Sequence, residues 1–174
     1  MQTLVIDNLP DICFQIALFS HVENTAQVVE RCSELSDVVV VDASLLVDID
    51  QVQCAAGVAA LSLRRKPAPL EPKELLEAII YALSPSRNLS SALQVFSPSS
   101  TAESNALAIL FVNASQDEVK SVLDLVQGQA ISDVSTVANL DRIKEVRSLS
   151  CVSLILDRCM VFKSLRLRIP SGRF

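Results

Sequence analysis

Histidine, glycine and aromatic residues are nearly missing from this sequence, which has one His, three Gly, one Tyr, six Phe and no Trp among 174 residues. A single imidazole, His21, excludes metal sites and acid–base schemes that need two histidines. It follows an apolar run and lies near Glu23, so it reads as an exposed or helix-start residue rather than a catalytic base. Three glycines leave no phosphate-cradling loop of the GxGxxG or Walker type. The core has to be assembled from Leu, Val, Ile and Ala.

Long apolar runs are missing too. No segment reaches the roughly 18 residues that a membrane span requires, and residues 1–10 lack the basic and then apolar order of a secretory signal. The most apolar window, residues 54–63, runs straight into Arg64, Arg65 and Lys66 and reads as a buried helix. The five cysteines (13, 32, 54, 151 and 159) are odd in number, scattered and without a CxxC pair. Such usage predicts reduced thiols in a reducing compartment, cytoplasmic and nuclear. Cys13 and Cys54 fall inside apolar segments, where they are expected to act as small hydrophobes, with burial suppressing the reactivity of Cys13.

Half of the residues are hydrophobic and a fifth are charged, a globular composition that fits one domain over residues 1–174, with 161–174 a frayed tail. The net charge of −5 is unevenly spread. Residues 1–60 hold nine acids and one base, whereas residues 140–174 hold eight bases and three acids. Two differently charged faces, and two kinds of partner, would follow from this asymmetry; a solvated surface without a role explains it equally well.

Several elements are legible. Residues 13–19 (CFQIALF) predict a strand, Asn24 with Gln27 a helix start running to about Leu35, and residues 38–41 a short buried strand. Asp48 and Gln51 repeat the start signal for a helix to about Arg64, although Gly57 weakens it by about 1 kcal/mol relative to Ala. Pro67 and Pro69 stop that helix, and Pro72 opens the next, which carries Leu75, Leu76, Ile79, Ile80 and Leu83 at helical spacing. Asn88 caps a short helix over 89–96. Residues 106–112 (ALAILFV) are the clearest strand, Ser115 to Glu118 form a capping box, and Gly128 closes that helix as a C′ residue. Short helices are expected over 140–149 and 152–160. Together these predict an α/β (α+β) layered domain with a small mixed or antiparallel sheet packed against several helices.

No residue set points to catalysis, so the chain is expected not to be an enzyme and to need no cofactor or metal. The carboxylate pairs Asp48/Asp50 and Asp117/Glu118 occur at helix starts, where the helix dipole accounts for them. Two basic clusters remain. The first is Arg64, Arg65 and Lys66 with Arg87; the second is Arg142, Lys144, Arg147, Arg158, Lys163, Arg166, Arg168 and Arg173. Either can neutralise nucleic-acid phosphates, but helix-end charge complementarity explains the first as well and a solvated tail the second. The shortage of stacking aromatics counts against a nucleic-acid platform.

The run from Val41 to Ala56 (VDASLLVDIDQVQCAA) resembles the middle helix region of the TPRKB-like family, the small subunit of the KEOPS (EKC) complex. The stretch from Ala78 to Leu93 (AIIYALSPSRNLSSAL), followed by Phe96, is similar to that family's most recognisable segment, and residues 106–112 and 143–149 fall where the family has matching elements. The resemblance covers about residues 13–150. It implies a non-enzymatic subunit that docks on the Bud32/PRPK-type kinase and meets the other KEOPS subunits indirectly. It also implies help in recruiting tRNA for threonylcarbamoyladenosine formation beside the anticodon, with no membrane and no small-molecule substrate involved. On this basis Arg64, Arg65, Lys66, Arg87 and Asn88 are the expected tRNA contacts, and Leu154, Ile155 and Leu156 the expected kinase contacts. Family members often carry Asn-Lys where this chain has Gly57-Val58, which removes one phosphate contact. The rival reading is a stand-alone, sequence-independent RNA-binding module.

Overall fold

The computed structural model describes residues 2–4, 12–63, 71–86, 88–98 and 105–148. Its centre is a strand with no polar alternation. Strand β4 (Leu107–Val112, LAILFV) is buried at every position, the pattern of a strand covered on both faces. It lies between β2 (Phe14–Ser20), also buried throughout, and β3 (Val38–Asp42), and both pairings are antiparallel. The register sets Phe14 opposite Val112 and Val40 opposite Ile109. The outer edge of β2 is shared end to end by β1 (Gln2–Leu4), which pairs with its first half, and β5 (Gln129–Ile131), which pairs with its second.

Alternate residues feed two cores. Phe14, Ile16, Leu18, Val41, Ala108, Leu110 and Val112 face one side, where they pack with buried residues of α2 (Ile49–Leu63), α3 (Pro72–Leu83) and α4 (Leu89–Phe96). Ala17, Phe19, Val38, Val40, Leu107, Ile109 and Phe111 face the other side. They meet Val28 and Cys32 of α1 (Thr25–Ser33) and Val119 and Val122 of α5 (Gln116–Leu125). The result is an α+β layered domain, an antiparallel sheet between two helical layers, as the sequence pattern predicts.

Local signals explain most helix ends. Ser115 Oγ accepts from the Glu118 amide while the Glu118 carboxylate accepts from the Ser115 amide, completing the expected capping box of α5. Asn88 Oδ1 accepts from the amides of Ser90 and Ser91 and caps α4. Glu71 precedes Pro72 in the first turn of α3, and Ser84-Pro85 ends that helix. The last described helix, α6 (Leu140–Ser148), is capped by Asn139, whose Oδ1 accepts from the amides of Asp141 and Arg142.

Three expectations need correction. Asn24 precedes α1 but does not cap it with its side chain. Its Nδ2 donates to the Leu125 carbonyl and its Oδ1 accepts from the Gln127 amide, so it ties α1 to the end of α5. Gly128 does not adopt the left-handed conformation of a C′ glycine; Val126 caps α5. Glycine is needed at 128 because a Cβ there would lie 2.8 Å from Val22 Cγ2 and 3.0 Å from the Ser20 carbonyl oxygen. Cys13 is exposed and lies just outside β2, and Cys54 is only half-buried.

The buried thiol is Cys32, on the α1 face that packs against the sheet. Removal from water pushes its pKa up to about 11, against a smaller lowering by Arg31. In the folded protein Cys32 is therefore expected to resist iodoacetamide at pH 8 while Cys13 is alkylated, and to react only after denaturation. Peptide mass spectrometry of timed samples reads this directly. Equal labelling of the two thiols in the native state would show that α1 does not stay packed on the sheet.

Candidate protein-binding surface

Among the described residues the chemistry-bearing side chains do not converge on one site. His21 is exposed, with φ of 54°, and its Nδ1 lies 3.2 Å from Ser20 Oγ; histidine is among the residues that tolerate this conformation. Among the described residues no group of three or more His, Cys, Asp or Glu side chains could hold a metal ion, and no helix is long and apolar enough to cross a membrane. Two exposed carboxylates are held below their ordinary range by hydrogen bonds at helix starts. For Glu118 the main cause is the Ser115 side chain, and for Asp133 it is Ser135. Asp133 caps the 3-10 turn Val134–Thr136. Both are capping carboxylates.

Of the expected tRNA contacts, Arg64, Arg65, Lys66 and Arg87 lie outside the described residues. Asn88 is exposed at the start of α4, and its carbonyl oxygen is committed to that helix. The expected kinase contacts Leu154, Ile155 and Leu156 also lie outside the described residues.

The second basic cluster is partly accounted for within the fold. Arg142 Nη1 donates to Asp42 Oδ2 at 2.9 Å and to Ser44 Oγ at 3.0 Å. Asp42 ends β3 with a side chain 0% exposed, and the Arg142 side chain is 29% exposed. The same carboxylate accepts from the Ser44 amide through Oδ1, and so caps the 3-10 turn Ala43–Leu45. With the Asn139 amide donating to the Ser44 carbonyl and Ile143 buried, this ion pair fastens α6 to the end of the sheet. Arg142 is therefore a clamp and not a solvated tail residue. Lys144 pairs loosely with Asp141 at 3.5 Å, both largely in water, where such a pair contributes little.

One helical surface stands out for its polarity. From Gln51 to Leu63, α2 carries no charged residue. Val52, Ala55, Ala56, Ala59, Ala60 and Leu63 are buried against the sheet and α3. The other side carries Cys54, Gly57 and Val58, all half-exposed, and Leu61, 42% exposed, together with half-exposed Gln51 and Gln53 and exposed Ser62. Tyr81 of the neighbouring α3 is likewise 42% exposed. The Ala-rich stretch is legible as a buried helix; its partly exposed side is not, because the sequence alone does not say which side the core occupies.

The described residues thus form an α+β domain with a partly exposed helix side that carries no charge from Gln51 to Leu63. Comparison with protein families supplies the class: the model described as kinase binding protein CGI-121 matches residues 19–161. That span is well over half of the chain, and the chain belongs to the CGI-121 family of kinase-binding proteins, the TPRKB family to which the sequence resemblance pointed.

Proposed function

We propose that this protein is a non-catalytic subunit of the KEOPS/EKC complex that binds and stimulates the Bud32/PRPK-type kinase subunit. In this reading it also helps recruit tRNA for threonylcarbamoyladenosine modification next to the anticodon. The observation that carries the proposal is membership of a kinase-binding family over residues 19–161. Residues 1–174 act as one domain in the cytoplasm and nucleus, with 161–174 as its tail. Leu154, Ile155 and Leu156 contribute to kinase docking, and Arg64, Arg65, Lys66, Arg87 and Asn88 contribute to tRNA contact.

Stand-alone RNA binding is the second reading, motivated by the basic excess of residues 140–174. The Asp42–Arg142 pair takes one of those bases out of play. Filter binding of tRNA at rising salt, with and without the kinase, separates the two. The adaptor reading expects weak tRNA affinity for the chain alone and tighter binding by the kinase complex, reduced several-fold by Arg64→Ala with Arg87→Ala. Equal, steeply salt-dependent affinity with and without the kinase would favour the stand-alone module.

A further inference from the structure

Ser-Pro occurs twice in this chain, at Ser84-Pro85 and Ser97-Pro98, and the fold treats the two serines oppositely. Each directly follows a helix, Ser84 after α3 and Ser97 after α4, and each has extended backbone, with φ −79° and ψ 141° at Ser84 and φ −64° and ψ 132° at Ser97. A following proline disfavours helical backbone and holds its neighbour in this form. Conformation therefore does not separate the two serines, but access does. Ser84 is 6% exposed, and its hydroxyl oxygen accepts from the Ser86 amide at 3.1 Å. Ser97 is exposed. Its amide donates to the Leu93 carbonyl at 2.8 Å and ends α4, while its hydroxyl takes no part in that cap. Other exposed serines at helix ends spend their hydroxyls locally. Ser33 Oγ donates to the Glu30 carbonyl, and Ser115 Oγ accepts from the Glu118 amide.

Pro98 has no backbone N–H, and a proline directly after the serine is what proline-directed kinases select. We propose that Ser97 is a phosphorylation site for a proline-directed serine/threonine kinase, an enzyme distinct from the binding partner, with Mg·ATP as the phosphoryl donor. This inference does not depend on the kinase-binding reading. Ser97 Oγ attacks the γ-phosphorus of ATP, the bond from that phosphorus to the β–γ bridging oxygen breaks, and ADP leaves. The hydroxyl proton passes to the catalytic carboxylate of the modifying enzyme. The end of a helix frays readily, so the residues just before Ser97 can follow it into an extended substrate groove. The product carries nearly two negative charges at pH 7. They stand at the C-terminal end of α4, which its free carbonyls already make negative. No basic residue from Leu89 to Phe96 offsets them. Phosphorylation therefore loosens the last turn of α4, whose Phe96 is buried in the same core as α3.

The test incubates the folded full chain with Mg·ATP and a purified mitogen-activated protein kinase, a proline-directed enzyme, and maps phosphate by peptide mass spectrometry. In the folded chain Ser97 is expected to be modified and Ser84 spared. In peptides of residues 80–90 and 92–102, which carry the same dipeptides without the fold, both serines are expected to react. Pro98→Ala should slow modification of Ser97 by roughly tenfold or more, and Ser97→Ala should abolish it, each with the wild-type melting temperature. The phosphorylated chain should melt about 1–3 °C lower and exchange its Ser97 amide faster. No phosphate on Ser97 in the folded chain would overturn the site. The fold closes it if the 92–102 peptide is modified, and the sequence is not recognised if the peptide is spared as well. Equal modification of Ser84 and Ser97 in the folded chain would overturn the selection by access. Modification that ignores Pro98→Ala, or that only the Bud32-type partner performs, would remove the proline-directed enzyme. Unchanged exchange at Ser97 after phosphorylation would overturn the effect on α4.

Discussion

Replacing Arg142 with Met should lower the stability of the folded protein by about 3 kcal/mol, although Arg142 lies in the last described helix. The cause is Asp42, whose side chain is fully buried at the end of β3 and receives Arg142 Nη1 at 2.9 Å. Removing a charge-assisted bond from a buried carboxylate typically costs about 3–5 kcal/mol, and the lower end applies because Arg142 keeps some contact with water. For a domain of this size each kcal/mol shifts the melting temperature by about 2–4 °C, so a fall of about 6–12 °C is expected. Asp42→Asn combined with Arg142→Met should recover at least half of that loss. The amide oxygen can still accept from the Ser44 amide, and no charge is left in the interior. Urea denaturation of the two variants and the wild type forms the comparison. A single-variant loss below about 0.5 kcal/mol, the scale of an exposed pair, would mean that α6 is not fastened by this contact.

Gly128→Val should be nearly as damaging, about 3 kcal/mol, with Gly128→Ala losing about 1–2 kcal/mol. The conflict is with backbone as well as side chain: an added Cβ would lie 3.0 Å from the Ser20 carbonyl oxygen and 3.2 Å from Val22 Cα. Neither atom can yield without disturbing β2, which carries the central register of the sheet. The region affected first is β5, where Ser20 pairs with Gln129 and Leu18 with Ile131. Hydrogen exchange at the amides of residues 129–131 should accelerate in Gly128→Ala before the melting temperature falls far. Unchanged exchange and an unchanged melting temperature would contradict the close approach of residue 128 to β2.

What was legible in the sequence was local. The capping box at Ser115 and Glu118, the Asn88 cap and the Pro72 helix start are each decided within four residues, and each forms as expected. The uninterrupted apolar run of β4 is the clearest strand in the sequence, and its burial on both faces explains why it does not alternate; its central place in the sheet is not legible. Decisions between distant segments were not legible. Strand β5 (QAI) is largely exposed and has no pattern of its own; it exists because β2 offers an edge. Asn24 carries a capping residue's signature, yet its side chain serves Leu125 and Gln127, about a hundred residues away. Arg142 read as one base in a basic tail because its partner, Asp42, is equally remote. Cys13 differs from its expected burial because of its position: it sits at the start of the apolar run, one residue before the buried strand. For function, family membership is readable from the distributed pattern of residues 41–56 and 78–93, whereas which side of α2 is buried is settled only by its packing against the sheet and α3.

The most direct test of the central claim is the affinity of this chain for the Bud32/PRPK-type kinase proposed as its partner, measured with and without residues 150–174. Kinase docking predicts tight binding by the full chain and a loss of at least tenfold on truncation, since each buried Leu or Ile contributes roughly 1.5–3 kcal/mol. No binding by the full-length chain would contradict the adaptor role, and undiminished binding by the truncated chain would remove Leu154, Ile155 and Leu156 from the interface.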